Sequence, residues 1–262
     1  MSLNANSLEI YLRAKGKIAV ALSGGLDSSA LLAASANILG AQNVLTVTAE
    51  TPYMMREEIS YAQELADKLG VEFLRISLSE IPNSISENPP DRCYKCKLDI
   101  FEKIKTAANS RGIETIADGT NADDLSDWRP GMRALKELGI SSPFLECGLG
   151  KKEIREIARS HNLKVANKPA YACLLTRLEH GTRTDAEILK KIDNAEIFLR
   201  GMSFKIVRVR LHGECARVEI SPDDFENFFK DRAAILAKLK TLGFKHVALD
   251  LNGYSQGSMN KK

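Results

Sequence analysis

Ile18-Ala19-Val20-Ala21-Leu22-Ser23-Gly24-Gly25-Leu26-Asp27-Ser28-Ser29 is an apolar run that passes directly into a serine- and glycine-rich turn. The apolar residues Ile18 to Leu22 suit a strand buried on both faces. Gly24 and Gly25 lack a Cβ and let the backbone turn tightly and close on a ligand. From Ser28 onward, Ala30-Leu31-Leu32-Ala33-Ala34 reads as the first turns of a helix. Strand, glycine turn and helix N-terminus in that order make an anion site, because the first helical N–H groups lack partners and the macrodipole is positive there. Ser23, Ser28 and Ser29 add hydroxyls, and Asp27 offers a carboxylate suited to a hard cation such as Mg2+. The alternative is an ordinary Asx or Ser turn that caps the helix.

The spacing fits neither Gly-x-x-x-x-Gly-Lys-Ser/Thr nor Gly-x-Gly-x-x-Gly. Ser23-Gly24-Gly25-Leu26-Asp27-Ser28 instead resembles the PP-loop of the ATP pyrophosphatases. The resemblance implies that this loop cradles the pyrophosphate of ATP. It also implies cleavage of ATP between the α and β phosphates, with adenylation of an oxygen on the substrate.

A chain of 262 residues can hold one large or two moderate cores. The net charge of +3 suits anionic small molecules such as nucleotides better than a nucleic-acid duplex, which selects a dense basic face. No stretch combines clustered Lys and Arg with aromatics, so nucleic acid is not indicated as a partner. No apolar run approaches the roughly 18 residues of a membrane span. Met1 to Leu8 has no basic-then-apolar signal pattern, so a cytoplasmic protein with no membrane partner is expected. The odd number of cysteines, 5, argues for thiol or metal chemistry over a disulfide framework.

Strands and helices alternate through the first half, the pattern of a doubly wound parallel α/β sheet. Val44 to Ala49 and Glu72 to Ile76 read as further strands, and Thr115 to Gly119 as a fourth strand and turn. Arg56 to Leu69 is apolar at helical spacing and stops at Gly70, and Lys97 to Ser110 and Lys151 to His161 read as helices. Ligands of such sheets bind beyond the carboxyl ends of the strands, where the PP-loop, the segment from Thr48 to Tyr53 and the turn Gly119-Thr120-Asn121 all fall, which makes Thr48 and that turn candidates for binding the nucleotide. Asn167-Lys168-Pro169 breaks the chain, and a smaller α+β domain follows, so domains 1–168 and 169–262 are expected. Its elements are a helix from Asp185 to Leu199, strands Lys205 to Leu211 and Ala216 to Ile220, a helix from Pro222 to Thr241 and a strand from His246 to Leu251.

Cys93-Tyr94-Lys95-Cys96 lies just before the expected helix at Lys97, where both thiols could reach one metal or cluster, flanked by basic residues that suit a thiolate. Cys173 follows the proline-bearing loop, with Arg177 near enough to favour a thiolate or bind an anion. Cys147 and Cys215 have no such company and read as small, partly buried residues. Arg208 and Arg210 alternate on one strand and leave it on one face, which suits a phosphate or, alternatively, a solvated face of ion pairs. Asp123, Asp124 and Asp127 could help hold Mg2+, although acids also cluster in solvated turns, and Asp223 and Asp224 read as first-turn acids of a helix.

Taken jointly, these residues resemble the LarE family of ATP-dependent sulfur insertases, which help build the nickel-pincer nucleotide cofactor. The resemblance rests on the PP-loop, Arg92-Cys93-Tyr94-x-Cys96-Lys97 and Asp118-Gly119-Thr120-Asn121-x-Asp123-Asp124. It continues through Asp127-x-Arg129-Pro130-Gly131, Ala172-Cys173-Leu174-x-x-Arg177 and Val207-Arg208-Val209-Arg210-x-His212-Gly213. It implies adenylation of a carboxylate of pyridinium-3,5-biscarboxylate mononucleotide with ATP and Mg2+, then displacement of AMP by sulfur to leave a thiocarboxylate. In some members one cysteine, matching Cys173, gives up its own sulfur. Others hold a [4Fe–4S] cluster on three cysteines, matching Cys93, Cys96 and Cys173, and the presence of all three favours the cluster route. Arg208, Arg210 and Glu196 are then expected at the substrate, although a glutamate on a helix surface is usually solvated, and Arg177 beside the chemistry, with Asp27 and Asp123 at Mg2+. Homo-oligomers, other proteins of nickel-pincer biosynthesis and a sulfide source are the partners so implied. A PP-loop tRNA thiolase and a nucleotide-binding thiol metal or redox module are the rival readings.

Overall fold

A computed structural model describes residues 3–126, 130–167, 172–255 and 259. Asp127 and Arg129 of the quoted motif, and Lys168 to Tyr171 ahead of Cys173, lie outside these residues.

The chain parts into two units, Met1–Ser79 with Asp91–Tyr171 and Glu80–Pro90 with Ala172–Lys262. In the first, β1 (Ile18–Ala21), β2 (Val44–Glu50), β3 (Glu72–Ser77) and β4 (Ile116–Ala117) form one parallel sheet in the order β3-β2-β1-β4. Its helices are α1 (Leu3–Lys15), α2 (Leu26–Leu39), α3 (Arg56–Leu69), α4 (Arg92–Asn109), α5 (Gly131–Glu137), α6 (Pro143–Glu146) and α7 (Lys151–Ser160). Side chains of β1 alternate between two cores, as the period of a strand requires. Ile18 and Val20 pack with Leu12 of α1, Leu31 and Leu32 of α2 and Ile154 of α7. Ala19 packs with Leu45, Val47, Phe101 and Ile104 on the opposite face. Helices therefore cover both faces, the doubly wound arrangement expected from the alternating pattern. At the end of α3, Gly70 takes a left-handed φ of 66° where the sequence stops the helix.

The structure departs from the sequence reading at three places. Residues 3–15 form α1, where no element was expected; its buried contribution is little more than Leu8 and Leu12, too sparse a signal to read as a period. Helix α4 begins at Arg92 rather than at Lys97, so Cys93 and Cys96 lie inside its first turns and not ahead of it. The buried position there is filled by Arg92, a residue that does not announce a core. Strand β4, by contrast, is followed by the turn read from the sequence: it covers Ile116–Ala117, and the Asp118 carboxylate then accepts the Thr120 N–H at 3.2 Å. The single helix expected over 222–241 is a short turn at Pro222–Asp224, α9 (Phe225–Lys230) and α10 (Arg232–Thr241). Asp231 closes one helix and opens the next, as an aspartate does more readily than it sits inside a helix.

In the second unit, α8 (Ala186–Gly201) starts at Asp185, whose carboxylate accepts the Ile188 N–H at 2.8 Å. It leads into β5 (Val207–His212) and β6 (Cys215–Ile220), an antiparallel pair, and β7 (His246–Leu249) joins β6 in parallel. Residues 80–90 count with this unit through Asn88, which is wholly buried at φ 48°. Its side-chain amide donates to the carbonyls of Leu175 at 3.2 Å, Leu178 at 3.1 Å and Glu179 at 2.9 Å. Two hydrogens serve three acceptors, so one bond is shared. Asparagine is the residue that fits here, since it tolerates the left-handed region and supplies the donors.

Asn88→Asp keeps the shape but turns a carboxylate oxygen towards these carbonyls. We expect it to destabilise the second unit by roughly 3 kcal/mol, whereas Glu87→Ala at the exposed neighbour stays within about 0.5 kcal/mol. Urea unfolding followed by circular dichroism measures both, and a wild-type midpoint for Asn88→Asp would contradict the clamp.

Candidate active site

At the carboxyl edge of the first sheet, the turn after β1 is built by its own serines. The Ser23 N–H donates to Ser28 Oγ at 3.2 Å, the two hydroxyls lie 3.0 Å apart, and the Gly25 N–H donates to Ser23 Oγ at 3.3 Å. Gly25 holds the N-cap position, and no side-chain cap closes α2. The turn therefore does not serve as an ordinary cap, and the helix end keeps its capacity for an anion. Gly24 has φ 79°, and a Cβ on it would stand 2.2 Å from the Glu58 carbonyl oxygen. Only glycine can bring the loop against α3 in this way.

Other expected nucleotide residues sit around this turn. Thr48 is buried, and its hydroxyl donates to the Leu22 carbonyl at 2.8 Å, so it braces the strand that enters the loop. Ser29 is buried within α2, its N–H on the Gly25 carbonyl at 3.1 Å. Gly119 abuts the loop: a Cβ there would lie 2.7 Å from the Ser28 nitrogen. The turn that follows is self-bonded. Thr120 Oγ1 donates to Asp118 at 2.6 Å, and the Asn121 side chain donates to Asp124 at 3.0 Å. Ser142 Oγ also donates to Asp118, at 2.7 Å, which explains why that carboxylate can be buried.

The first turn of α4 comes to the same edge. Cys96 Sγ lies 3.5 Å from the hydroxyl of buried Tyr53, beyond the end of β2, and Lys97 Nζ lies 3.5 Å from Asp118, beyond β4. Cys93 and Cys96 are three residues apart on this helix and share a face; Cys93 is exposed and Cys96 half-buried. Tyr53 ends the 48–53 segment that the sequence places at this edge and Asp118 opens the motif quoted above, whereas nothing in the sequence pointed to Lys151, whose amine lies 2.5 Å from Asp27 Oδ2. Asp123 accepts the Lys151 backbone N–H at 2.7 Å.

The second unit holds a buried network of charges. Arg177 is wholly buried and donates from Nε and Nη2 to the two Glu196 oxygens at 2.8 and 3.0 Å. Its Nη1 donates to the Ala172 carbonyl at 2.9 Å, which ties the backbone just ahead of half-buried Cys173. Glu196 also accepts the Val209 N–H at 2.9 Å and lies 3.4 Å from Arg200. Burial alone would raise the Glu196 pKa, but Arg177 and Arg208 outweigh it and hold the carboxyl below its ordinary value. Burial works against the charge on Arg177 as well, and Glu196 outweighs it to leave the guanidinium above its ordinary value. Arg210 donates to Glu219 from Nε at 3.1 Å and from Nη2 at 2.8 Å, and to the Thr176 carbonyl from Nη1 at 3.0 Å. Arg208 is 2% exposed and lies 5.0 Å from the centre of the Tyr254 ring. Burial, then repulsion from Arg177, pull its pKa below the usual arginine value. Arg208 and Arg210 are thus not a solvated face of ion pairs, nor is Glu196 a solvated helix carboxylate.

The asparagine synthase family model matches residues 3–89. A pyridinium-3,5-bisthiocarboxylic acid mononucleotide synthase from Lactiplantibacillus plantarum is 32% identical over 245 residues, covering 93% of this chain and 89% of that protein. The chain belongs to the LarE family. An uncharacterized protein of Synechocystis sp. is 35% identical over 245 residues, 92% of this chain and 91% of its own. A tRNA-specific 2-thiouridylase from Clostridium botulinum is 28% identical over 200 residues, but the match spans 64% of this chain and 57% of that protein. Membership of LarE, with its PP-loop, makes this an ATP-using enzyme. Among the described residues no helix is long and apolar enough to cross a membrane, and no three His, Cys, Asp or Glu side chains gather into a metal-binding group.

Two consequences can be measured. Gly119→Ala forces a Cβ against the backbone of the loop. We expect about 1–3 kcal/mol of destabilisation and an approximately tenfold loss of ATP affinity, read by calorimetry. Glu196→Gln leaves Arg177 buried against a neutral partner and is expected to cost about 3–5 kcal/mol near pH 7. Because the Glu196 carboxyl binds its proton less readily when folded, its contribution is complete above its unfolded pKa of about 4.3 and fades as pH falls below that. The stability gap between wild type and Glu196→Gln should therefore narrow in acid; a constant gap from pH 7 to pH 3 would exclude this linkage.

Proposed function

We propose that this protein is an ATP-dependent sulfur transferase acting on a carboxylate of pyridinium-3,5-biscarboxylate mononucleotide. The reading is carried by the end-to-end likeness to the thiocarboxylate-forming synthase, in a chain whose phosphate loop has no side-chain cap. In the first step a substrate carboxylate oxygen attacks the α phosphorus of ATP, the α–β bridging bond breaks, and pyrophosphate leaves. The helix N–H groups and the Ser23 and Ser28 hydroxyls, with Gly24, Gly25 and Ser29, hold the departing phosphates. Thr48 and the Gly119-Thr120-Asn121 turn fix the loop from below and beside it. In the second step a sulfur nucleophile attacks the activated carbonyl carbon and AMP leaves with the original oxygen, so that C–S replaces C–O.

Asp27 and Asp123 fit Mg2+ by donor chemistry, since this ion takes one or two carboxylates and completes its shell with phosphates and water. Cys93, Cys96 and Cys173 fit an iron–sulfur cluster by donor chemistry, as none of the three is in a disulfide and two share one helix face. Held on three thiolates, such a cluster would supply the chemistry of carrying and handing on a sulfide. In the second unit, Arg208 and Arg210 recognise the substrate phosphate, while Glu196 keeps Arg177 in place beside the Cys173 backbone. Cytoplasmic operation and assembly into homo-oligomers belong to the same reading.

The experiment is anaerobic turnover of ATP with the carboxylate mononucleotide. AMP and pyrophosphate should form in step with a thiocarboxylate, and Cys93→Ala should abolish both bound iron and product. A Cys173 that loses its sulfur during turnover, without iron, would replace the cluster route with a sacrificial one. Stimulation by tRNA in place of the mononucleotide would overturn the substrate assignment in favour of a tRNA thiolase, the kind of enzyme with which only part of the chain is shared.

A further inference from the structure

Tyr53 is 2% exposed, and its hydroxyl lies 3.5 Å from Cys96 Sγ, across 43 residues of sequence. A phenylalanine would fill the same apolar space, so the buried oxygen adds a desolvation cost that hydrogen bonding must offset. A thiol is a weak partner for a phenol, whereas a sulfur that carries negative charge accepts a stronger bond.

Both groups are held from behind. Tyr53 sits in a turn closed by the Met54 N–H on the Thr51 carbonyl at 3.1 Å, between buried Thr51 and buried Met55. Met55 is the N-cap residue of α3, the helix whose Glu58 carbonyl stands against Gly24. Cys96 belongs to the first turns of α4, where Arg92 is buried and α5 packs closely. A Cβ on Gly131 of α5 would lie 2.8 Å from Lys97 Cδ and 3.4 Å from the Cys93 carbonyl oxygen. The two thiols of the pair are therefore unlike: Cys93 is exposed, and Cys96 is half-buried beside the phenol.

We propose that Tyr53 is a positioning residue for the Cys96 sulfur and donates a hydrogen bond to it when Cys96 serves as an iron ligand. A phenol hydroxyl both accepts and donates. Towards the free thiol it accepts the S–H. A ligated sulfur has no hydrogen, and the hydroxyl then turns about its C–O bond to donate, with no heavy atom displaced. Such a bond draws negative charge from the ligand sulfur, which favours the reduced over the oxidised cluster and fixes the direction of Sγ. This assignment rests on the reading of Cys96 as a cluster ligand and adds to it the group that tunes that sulfur.

The test uses the full chain loaded anaerobically with iron and sulfide, unaltered and as Tyr53→Phe, which keeps the ring and removes only the oxygen. Tyr53→Phe should still bind iron. Its reduction potential should fall by an approximately tenfold shift of the equilibrium towards the oxidised form, ~59 mV for one electron. The iron–sulfur stretching bands of the unaltered chain should shift in D2O, and part of that shift should vanish in Tyr53→Phe. An unchanged potential overturns the assignment, as does a partial loss of iron or a lower Tm without a change in potential, which is what a packing role would give. If Tyr53→Phe holds no iron, 3-fluorotyrosine at position 53 takes its place; its more acidic hydroxyl is a stronger donor and should raise the potential, and no rise overturns the assignment. Failure of the unaltered chain to hold iron would instead remove the reading on which this one depends.

Discussion

An α-helix that begins without a cap offers its first N–H groups to whatever anion arrives, provided that nothing nearby closes the gap. In this protein that opening is kept by contacts that exclude side chains. Gly24 lies against the Glu58 carbonyl and Gly119 lies against the Ser28 nitrogen, each at a separation where a Cβ cannot stand. The loop is thus held from α3 on one side and from the turn after β4 on the other. Thr48, beneath it, spends its hydroxyl on the Leu22 carbonyl, which keeps a buried polar group satisfied and the strand end in register. The serines bond to one another across the turn, so the loop is shaped before any ligand is present. Preorganisation of this kind matters because the charge to be stabilised appears on phosphate oxygens during the reaction, when there is no energy to spare for rebuilding the site.

The glycines and strands are the rigid part of the edge; the long side chains are the adjustable part. Lys97 stands between the Asp118 carboxylate, at 3.5 Å, and the face of the Phe101 ring, 5.7 Å from its centre. Lys151 stands against Asp27. Both amines project from the first two turns of a helix whose apolar face is packed on the sheet, α4 on one face and α7 on the other. A doubly wound sheet can in this way place mobile cations over its carboxyl edge from both layers, while its strands hold the loop still.

What could be read from the sequence was what lies contiguous in it. The strand, the glycine turn and the start of α2 occupy a single run, and each residue type declares its local role. Helix α3 was legible for the same reason, with a clean apolar period closed by Gly70. The start of α4 was hidden because its buried residue is Arg92, and α1 because Leu8 and Leu12 alone do not make a period. The pairing of Lys151 with Asp27 spans 124 residues and leaves no local trace in either segment. Glu196 looked like a surface carboxylate, since its burial depends on Arg177 and Val209 and not on its own helix. Asn88 carried no signal at all, its importance coming from three carbonyls of a loop almost ninety residues away.

The buried charges of the second unit follow a logic different from that of the loop. Arg177 and Glu196 satisfy one another with two parallel hydrogen bonds, and Arg210 with Glu219 does nearly the same, so these pairs are at rest. Arg208 is not. Its environment disfavours its charge through burial and through Arg177 and Arg210, while Glu196 and Tyr254 only partly offset this. A guanidinium does not lose its proton at ordinary pH, so the field it creates persists. The two arginines of β5 are thus held differently, Arg210 by Glu219 and the Thr176 carbonyl, Arg208 by the Val207 carbonyl at 2.7 Å and the face of the Tyr254 ring.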